Sequence, residues 1–377
     1  MELYSKEGVT SLRYTLFFFV ILLIILIFAI SLNSIEKICM KKVFGIILLF
    51  LTLFSCTKND EEVNIYNYAS EVVAVFSPNK LGEHTDAGLI YQGIVRATDS
   101  LGLSFRPIFP ATFEDGAETL AELVGSNQQG RKRLIVATDP EYSDFLRNLA
   151  SAGNIIDSDA TKLLVLDGGF NHPDVYSVHV PFYGMMYKAG YLASQMHDVD
   201  SVRIYLANDK YLYMRESRDG FINGFTQNRE NTIEVVDFSE FTLSDTEGFQ
   251  CRTEAYLYYA PECYPRFDMI LPVCGETSMG FIRYNRDFPE CFYTVGVETD
   301  MSIYTSDVPF SCVEHIDRVL VACISDWKNE QLEHHRNFGM EGGWTELVVS
   351  DEYKDLLESV SQEIHQQAIE KEANYDK

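Results

Sequence analysis

Between residues 71 and 325, short apolar runs alternate with amphipathic stretches. Residues 71–76 (EVVAVF) read as a buried strand, and residues 87–101 then carry Leu89, Ile90, Ile94, Val95 and Ala97 at helical spacing. Residues 133–137 predict a second strand, with a helix from Asp139-Pro140, where proline suits the first turn. Residues 163–167 (LLVLD) and 177–180 predict two more strands, the latter leading into a helix over 184–195. The rhythm repeats with strands at 201–206, 232–237, 269–273, 292–297 and 310–313, and helices at 215–227 and 316–327. Continuous apolar strands separated by helices predict an α/β fold of parallel sheets covered on both faces. Two such sets predict two doubly wound, Rossmann-like lobes. Ligands of such lobes sit at the carboxyl ends of the strands, at the switch point, and two facing lobes make a cleft there.

The segment ahead of these lobes changes where the protein works. Met40 is followed by Lys41, Lys42, an apolar run over 43–54 and then Ser55-Cys56. That run is short for a membrane span and has the flanks of a signal peptide. The tetrad Leu53-Phe54-Ser55-Cys56 resembles a bacterial lipobox, which implies a signal over 40–55, lipidation (diacylation, palmitate included) of the Cys56 thiol and a mature chain of 322 residues. Residues 1–39 hold a second apolar run over 14–32. They are read as an extension ahead of the true start at Met40, the alternative being a membrane helix. Residues 56–70 are read as the lipidated tether. The expected address is the bacterial cell envelope, on the periplasmic face or the outer-membrane surface.

Charge and cysteine usage agree with that address. The chain has a net charge of −26; residues 1–55 hold five Lys+Arg and three Asp+Glu, which leaves −28 on the mature part. So acidic a protein does not bind nucleic acid through bulk charge. Beyond Cys39 and Cys56, six cysteines remain: Cys251, Cys263, Cys274, Cys291, Cys312 and Cys323. An even set in an oxidising compartment predicts disulfides, of unspecified pairing among 15 possibilities. Cys251 and Cys263 bracket a Tyr- and Pro-rich stretch and are the expected pair. No close CxxC pair points to a metal.

Six blocks, in order, resemble the basic membrane protein family of ABC-transporter substrate-binding lipoproteins, whose studied branch binds purine nucleosides. They are EVVAVFSPNKLGEHTDAGLIYQGIVRATDSLG (71–102), LIVATDPEYSDFL (134–146), VHVPFYGMMYKAGYLAS (178–194), RDGFINGF (218–225), TVGVETDMS (294–302) and NFGMEGGWTELV (337–348), the last similar to a closing glycine-rich hairpin. The resemblance implies a type I periplasmic-binding-protein fold with three crossovers. The implied division is 71–180 with 313–335 in the first lobe, and 181–312 with 336–377 in the second. The chain departs from the nucleoside branch in the first loop, where Asp86 and Ala87 replace Phe and Asn. It departs again at Glu298, which stands for Asp, and at Glu314, which stands for a ligand-contacting Lys.

Carboxylates collect at predicted strand ends: Asp139 in the first lobe and Glu276, beside Gly275, with Glu298, Asp300 and Glu314 in the second. Acceptors of this kind suit hydroxyls and amines, so the cleft is expected to take a neutral polyol or amine-bearing solute in preference to an anion. Aromatic residues near the lobe junction, Phe182, Tyr183 and Tyr211, with Tyr213, are candidates to stack on a ligand. Each of these has an ordinary structural alternative in so acidic and aromatic a chain. No nucleophile elbow, HExxH or Walker loop is present. The expectation is therefore a non-enzymatic protein that captures a nucleoside-like, polyol or amine-bearing solute in the interlobe cleft, without cofactor, and serves an ABC permease or another membrane partner. A ligand sensor read by a signalling receptor and a surface hydrolase are the rivals.

Overall fold

The computed structural model describes residues 70–78, 86–126, 131–155, 158, 160–166, 172–227, 231–241 and 247–375. The extension over 1–39, the signal over 40–55, Cys56 and the tether short of Ser70 lie outside the described residues. So does the side chain of Asp86.

The first lobe is built on β1 (Ser70–Val75), β2 (Ser104–Ile108), β3 (Lys132–Ala137), β4 (Thr161–Leu166) and β5 (Tyr176–His179). Between them run α1 (Asp86–Leu101), α2 (Phe113–Gly125) and α3 (Ser143–Ser151). The second lobe begins with α4 (Tyr183–Gln195), β6 (Ser201–Leu206), α5 (Leu212–Phe225) and β7 (Thr232–Asp237). It continues with β8 (Met269–Val273), α6 (Ser278–Asp287), β9 (Tyr293–Thr294), β10 (Gly296–Glu298) and β11 (Phe310–Glu314). The chain then visits the first lobe with α7 (Ile316–Lys328) and β12 (His335–Asn337), and ends in the second with β13 (Thr345–Val349) and α8 (Lys354–Asn374).

Strand order in the first sheet is β2-β1-β3-β4-β5-β12, parallel throughout. Alternate residues of β1 enter different cores. Val72 and Ala74 join one, Val73 and Val75 the other, and all four are fully buried. Burial on both faces is why the strand reads as an unbroken apolar run. In the second lobe the parallel order is β7-β6-β8-β9, and a further ladder runs β10-β11-β13. The strand expected over 292–297 is broken at Val295, whose N–H still donates to Ile270. Among the described strands, β13, antiparallel to β11, departs from the parallel pattern.

Three crossovers join the lobes: residues 180–182, His315, and residues 338–344. Two expectations are corrected here. Residues 337–348 do not form a hairpin, because β12 pairs with β5 in the first sheet and β13 pairs with β11 in the second. The expected divisions at 313 and 336 fall inside strands. β11 stays with the second lobe through Glu314, and β12 with the first through Asn337.

Helix α7 docks on α1 at Gly93, where a Cβ would lie 2.5 Å from the Asp317 carbonyl oxygen, and Arg96 reaches Asp317 at 2.9 Å. Helices α4 and α5 pack closer still. A Cβ on Gly190 would stand 2.1 Å from the Phe221 carbonyl oxygen, and one on Gly224 would stand 2.0 Å from that of Tyr187.

Candidate functional site

Both strand orders place a switch point beside the first strand of the lobe, between β1 and β3 and between β6 and β8. Helices leave on opposite faces there, so the carboxyl ends open a crevice. At the first switch point the Asp139 carboxylate is buried and accepts the Ser77 N–H at 3.2 Å and the Thr138 hydroxyl at 3.0 Å. The Ser77 hydroxyl donates to Glu141 at 2.9 Å, and the Tyr142 hydroxyl donates to the Phe76 carbonyl at 3.0 Å. Phe76 packs on Phe109 at 4.9 Å, and Phe109 is half exposed. Asp139 was foreseen at this place; Ser77 and Glu141 were not.

At the second switch point, rings form a row. Phe182 in the first crossover meets Tyr213 at 5.8 Å, Tyr213 lies parallel to Tyr211 at 6.2 Å, and Tyr211 lies 6.3 Å from Phe249. Phe249 in turn covers Gly275, whose φ of +53° ends β8 in a turn that glycine adopts without cost. Asn208 sets the near end of the row: its side-chain oxygen accepts the N–H groups of Lys210 and Tyr211 and launches α5. Phe249 was missed because it sits in a short irregular stretch with no periodicity. Tyr183 belongs elsewhere. Its ring stacks on Tyr375 at 4.3 Å and its hydroxyl accepts from Asn223, so it holds helices together.

The carboxylates divide. Glu298 ends β10 with φ +71° and is buried. A non-glycine residue in that region costs about 1 kcal/mol or more and persists where its surroundings impose it, a pattern that clusters at functional sites. Burial pushes the neighbouring Cys274 thiol far up, and the Glu298 charge adds to that. Glu314 is buried at the end of β11, at the second crossover. Asp300 is occupied: it accepts the Ser302 N–H at 3.0 Å, the Ser302 hydroxyl at 2.7 Å and the Ser311 hydroxyl at 3.3 Å, which shapes its own loop. Glu276 is half exposed, 3.6 Å from Arg252. Replacing Glu298 by glycine removes the backbone cost, so Glu298→Gly should stabilise the fold by about 1 kcal/mol. Urea denaturation checks this; a loss of stability would mean that the carboxylate's contacts outweigh the strain.

The expected Cys251–Cys263 bridge does not form. Cys251 precedes and Cys263 ends a helical run over 252–263 whose middle turn, Ala255–Tyr259, is π-helical. At about 1.5 Å rise per residue the ends stand about 18 Å apart, and a disulfide tolerates about 7 Å between Cα atoms. All six cysteines of the lobes are free thiols. Cys263 is buried with its thiol 3.2 Å from the Tyr259 carbonyl and 3.3 Å from the Tyr205 hydroxyl.

Sequence reasoning also missed a polar hinge. Glu216 of α5 is buried, its carboxylate 2.8 Å from His179 Nε2 and accepting the Phe182 N–H at 2.9 Å. One second-lobe side chain thus holds the end of β5 and the first crossover. Glu372 of α8 does the same for the third, accepting the Met340 N–H at 2.9 Å. Burial, with the nearby Glu216 charge, pushes its pKa up to about 7.

No protein-family model matches the chain, and no curated relative does. Solved structures match over most of its length. A solute-binding protein of an ABC transporter system from Aeropyrum pernix K1 is 13% identical, with a TM-score of 0.58 over 81% of this chain and 84% of its own. An ABC transporter solute-binding protein from Agrobacterium vitis, solved with bound allitol, is 12% identical, with a TM-score of 0.54 over 78% and 99%. A transcriptional activator of the comK gene from Bacillus halodurans is 16% identical, with a TM-score of 0.59 over 82% and 98%. The fold is the type I periplasmic-binding-protein fold. In this chain the Glu216 and Glu372 contacts of the hinge lie at the junction between the lobes.

Proposed function

We propose that this chain is an extracytoplasmic solute-binding protein, lipid-anchored through Cys56, that closes its two lobes on a small polyhydroxylated molecule and hands it to an ABC-type permease. The observation that carries the reading is the aromatic row Phe182–Tyr213–Tyr211–Phe249 ending at the second switch point, with the buried carboxylate of Glu298 in the same lobe. Flat rings receive the C–H faces of a sugar or polyol, and carboxylates accept its hydroxyls. Binding by hinge closure needs a solute that favours the closed state and requires no covalent chemistry. The allitol bound in the Agrobacterium vitis protein, and a glucose-galactose binding protein from Geobacillus stearothermophilus at a TM-score of 0.54, support that ligand class.

The nucleoside reading of the basic membrane protein resemblance stands second, since a planar base would use the same row. Asp86, Ala87 and Glu314 weigh against it. Sensing is the other reading, favoured by the transcriptional activator that shares the fold.

A thermal-shift screen of the purified protein against sugars, polyols, nucleosides and amines tests the proposal. A solute at about 100 times its dissociation constant should add about 2.7 kcal/mol of stability. The expected hit is a sugar or polyol that is recovered unchanged, with affinity at least tenfold weaker in Tyr211→Ala. A nucleoside hit would reinstate the second reading, conversion of the bound solute would favour a hydrolase, and silence across all classes from folded, ligand-free protein would overturn the proposal.

A further inference from the structure

A cavity of about 770 Å³ lies along the hinge. His179 and His335 line it from the first lobe, Glu216, Glu372 and Tyr375 from the second, and Glu341 from the third crossover. None of the switch-point residues is among these. We propose that this cavity is a second ligand site, built for a small organic cation such as an alkylamine or a quaternary ammonium, whose occupant touches both lobes at once.

Four observations carry the proposal. The volume falls within the range of small-molecule sites, about 300–1,000 Å³. Three carboxylates, Glu216, Glu341 and Glu372, line the space, while among the described residues no lysine or arginine does. Its aromatic members are Trp344, over whose ring the Arg318 guanidinium stands at 5.9 Å, and Tyr375, stacked on Tyr183 at 4.3 Å, so that rings which attract a cation border the space, and Ile369, Leu212 and Pro181 supply apolar wall for its carbon atoms. Glu372 is held by backbone donors: its Oε1 accepts the Met340 N–H at 2.9 Å, and the Gly184 N–H also stabilises the carboxylate, while no lysine or arginine pairs with it among the described residues. A largely buried carboxylate without a countercharge is costly, and a cation beside it lowers that cost. The two imidazoles in the lining are already engaged, His179 with Glu216 and His335 with the Ser177 hydroxyl at 2.9 Å. Because the walls come from both lobes, an occupant must bind open and closed arrangements with different affinity, so it biases the hinge.

The chain has two tryptophans, Trp327 and Trp344. In Trp327→Phe protein the remaining indole lines the cavity and reports on it. We would titrate this protein at pH 8 and constant ionic strength with tetramethylammonium, 1,5-diaminopentane and the neutral match 1,5-pentanediol. The expected result is a saturable change in emission with a cation and none with the diol. Glu372→Gln, which keeps an acceptor for Met340, should weaken the cation at least tenfold. Ala373→Arg, on an exposed residue at the cavity wall, should abolish the response. Circular dichroism would confirm that both variants fold. Silence with both cations, an equal response to the diol, or unchanged affinity in both folded variants would overturn the proposal.

Discussion

Valine at position 224 should destabilise the protein by about 3 kcal/mol or more, the upper range for overpacking a filled interior. Gly224 lies on α5 where that helix crosses α4. A Cβ there would sit 2.0 Å from the Tyr187 carbonyl oxygen and 2.8 Å from the Tyr191 nitrogen. These are backbone atoms of a buried helix, so no side chain can swing aside. Gly190 meets Phe221 and Phe225 in the same way from the other helix, and Gly220 faces Tyr183 with a Cβ distance of 2.4 Å. Three glycines therefore set the separation of the two helices, and α4 is the helix that receives the first crossover. A wider separation would also disturb the Glu216 clamp on Phe182. Urea denaturation of Gly224→Val beside Gly125→Ala separates this cause from general helix effects, because a Cβ on Gly125 would meet only the Asn154 carbonyl oxygen at 4.0 Å. Equal stability in the two variants would refute the close-packing account.

Glu372→Gln should stabilise the fold at pH 8 and leave it almost unchanged near pH 4.5. Burial, followed in size by the backbone N–H of Met340 and the charge of Glu216, sets a folded-state pKa of about 7 against an ordinary value of 4.5. The folded state therefore holds this proton more tightly than the unfolded state does. Below about pH 4.5 both states are protonated and the carboxyl costs nothing. Between 4.5 and 7 stability falls as pH rises, and above 7 the full penalty is present, about 3 kcal/mol. Glutamine keeps the acceptor for Met340 and never ionises, so it escapes that loss. Denaturation midpoints of both proteins at pH 4.5 and pH 8 check this. A gain of equal size at both values, or a loss at pH 8, would show that the carboxylate is ionised and well compensated in the fold. A group that holds charge at such cost on the wall of the hinge cavity fits a place where a cation completes it.

What the sequence showed and what it hid follow from edge and interior. The central strands β1, β3, β4, β6 and β8 were legible because both their faces are buried, which leaves a local run of apolar residues. β2 was not, since it is an edge strand of intermediate burial with Pro107 in its middle, a residue that edges accept and interiors do not. β12, with the sequence HRN, is a polar edge strand at the other margin of the same sheet and carries no strand signal of its own. Reading residues 337–348 as a hairpin failed for the same reason: strand pairing partners are non-local, and those of β12 and β13 lie more than 30 residues away in sequence on different sheets. Among the candidate residues, Asp139, Glu298 and Glu314 could be placed at strand ends because each ends or follows a readable strand. Asp300 and Glu276 follow strands equally well, yet their partners are a neighbouring serine loop and an arginine that no local pattern pairs with them.

By itself, then, the chain's order of apolar runs determined an α/β architecture of two doubly wound lobes, because burial on two faces leaves its mark residue by residue. Tertiary structure alone decided the rest. It kept Cys251 and Cys263 apart at opposite ends of a helical run, and it aligned Phe182, Tyr213, Tyr211 and Phe249 into one row. It also gathered Glu216, His179, Trp344 and Glu372 around one hinge cavity from four separate stretches. Contacts of that kind depend on how elements far apart in sequence meet, and no local periodicity encodes them.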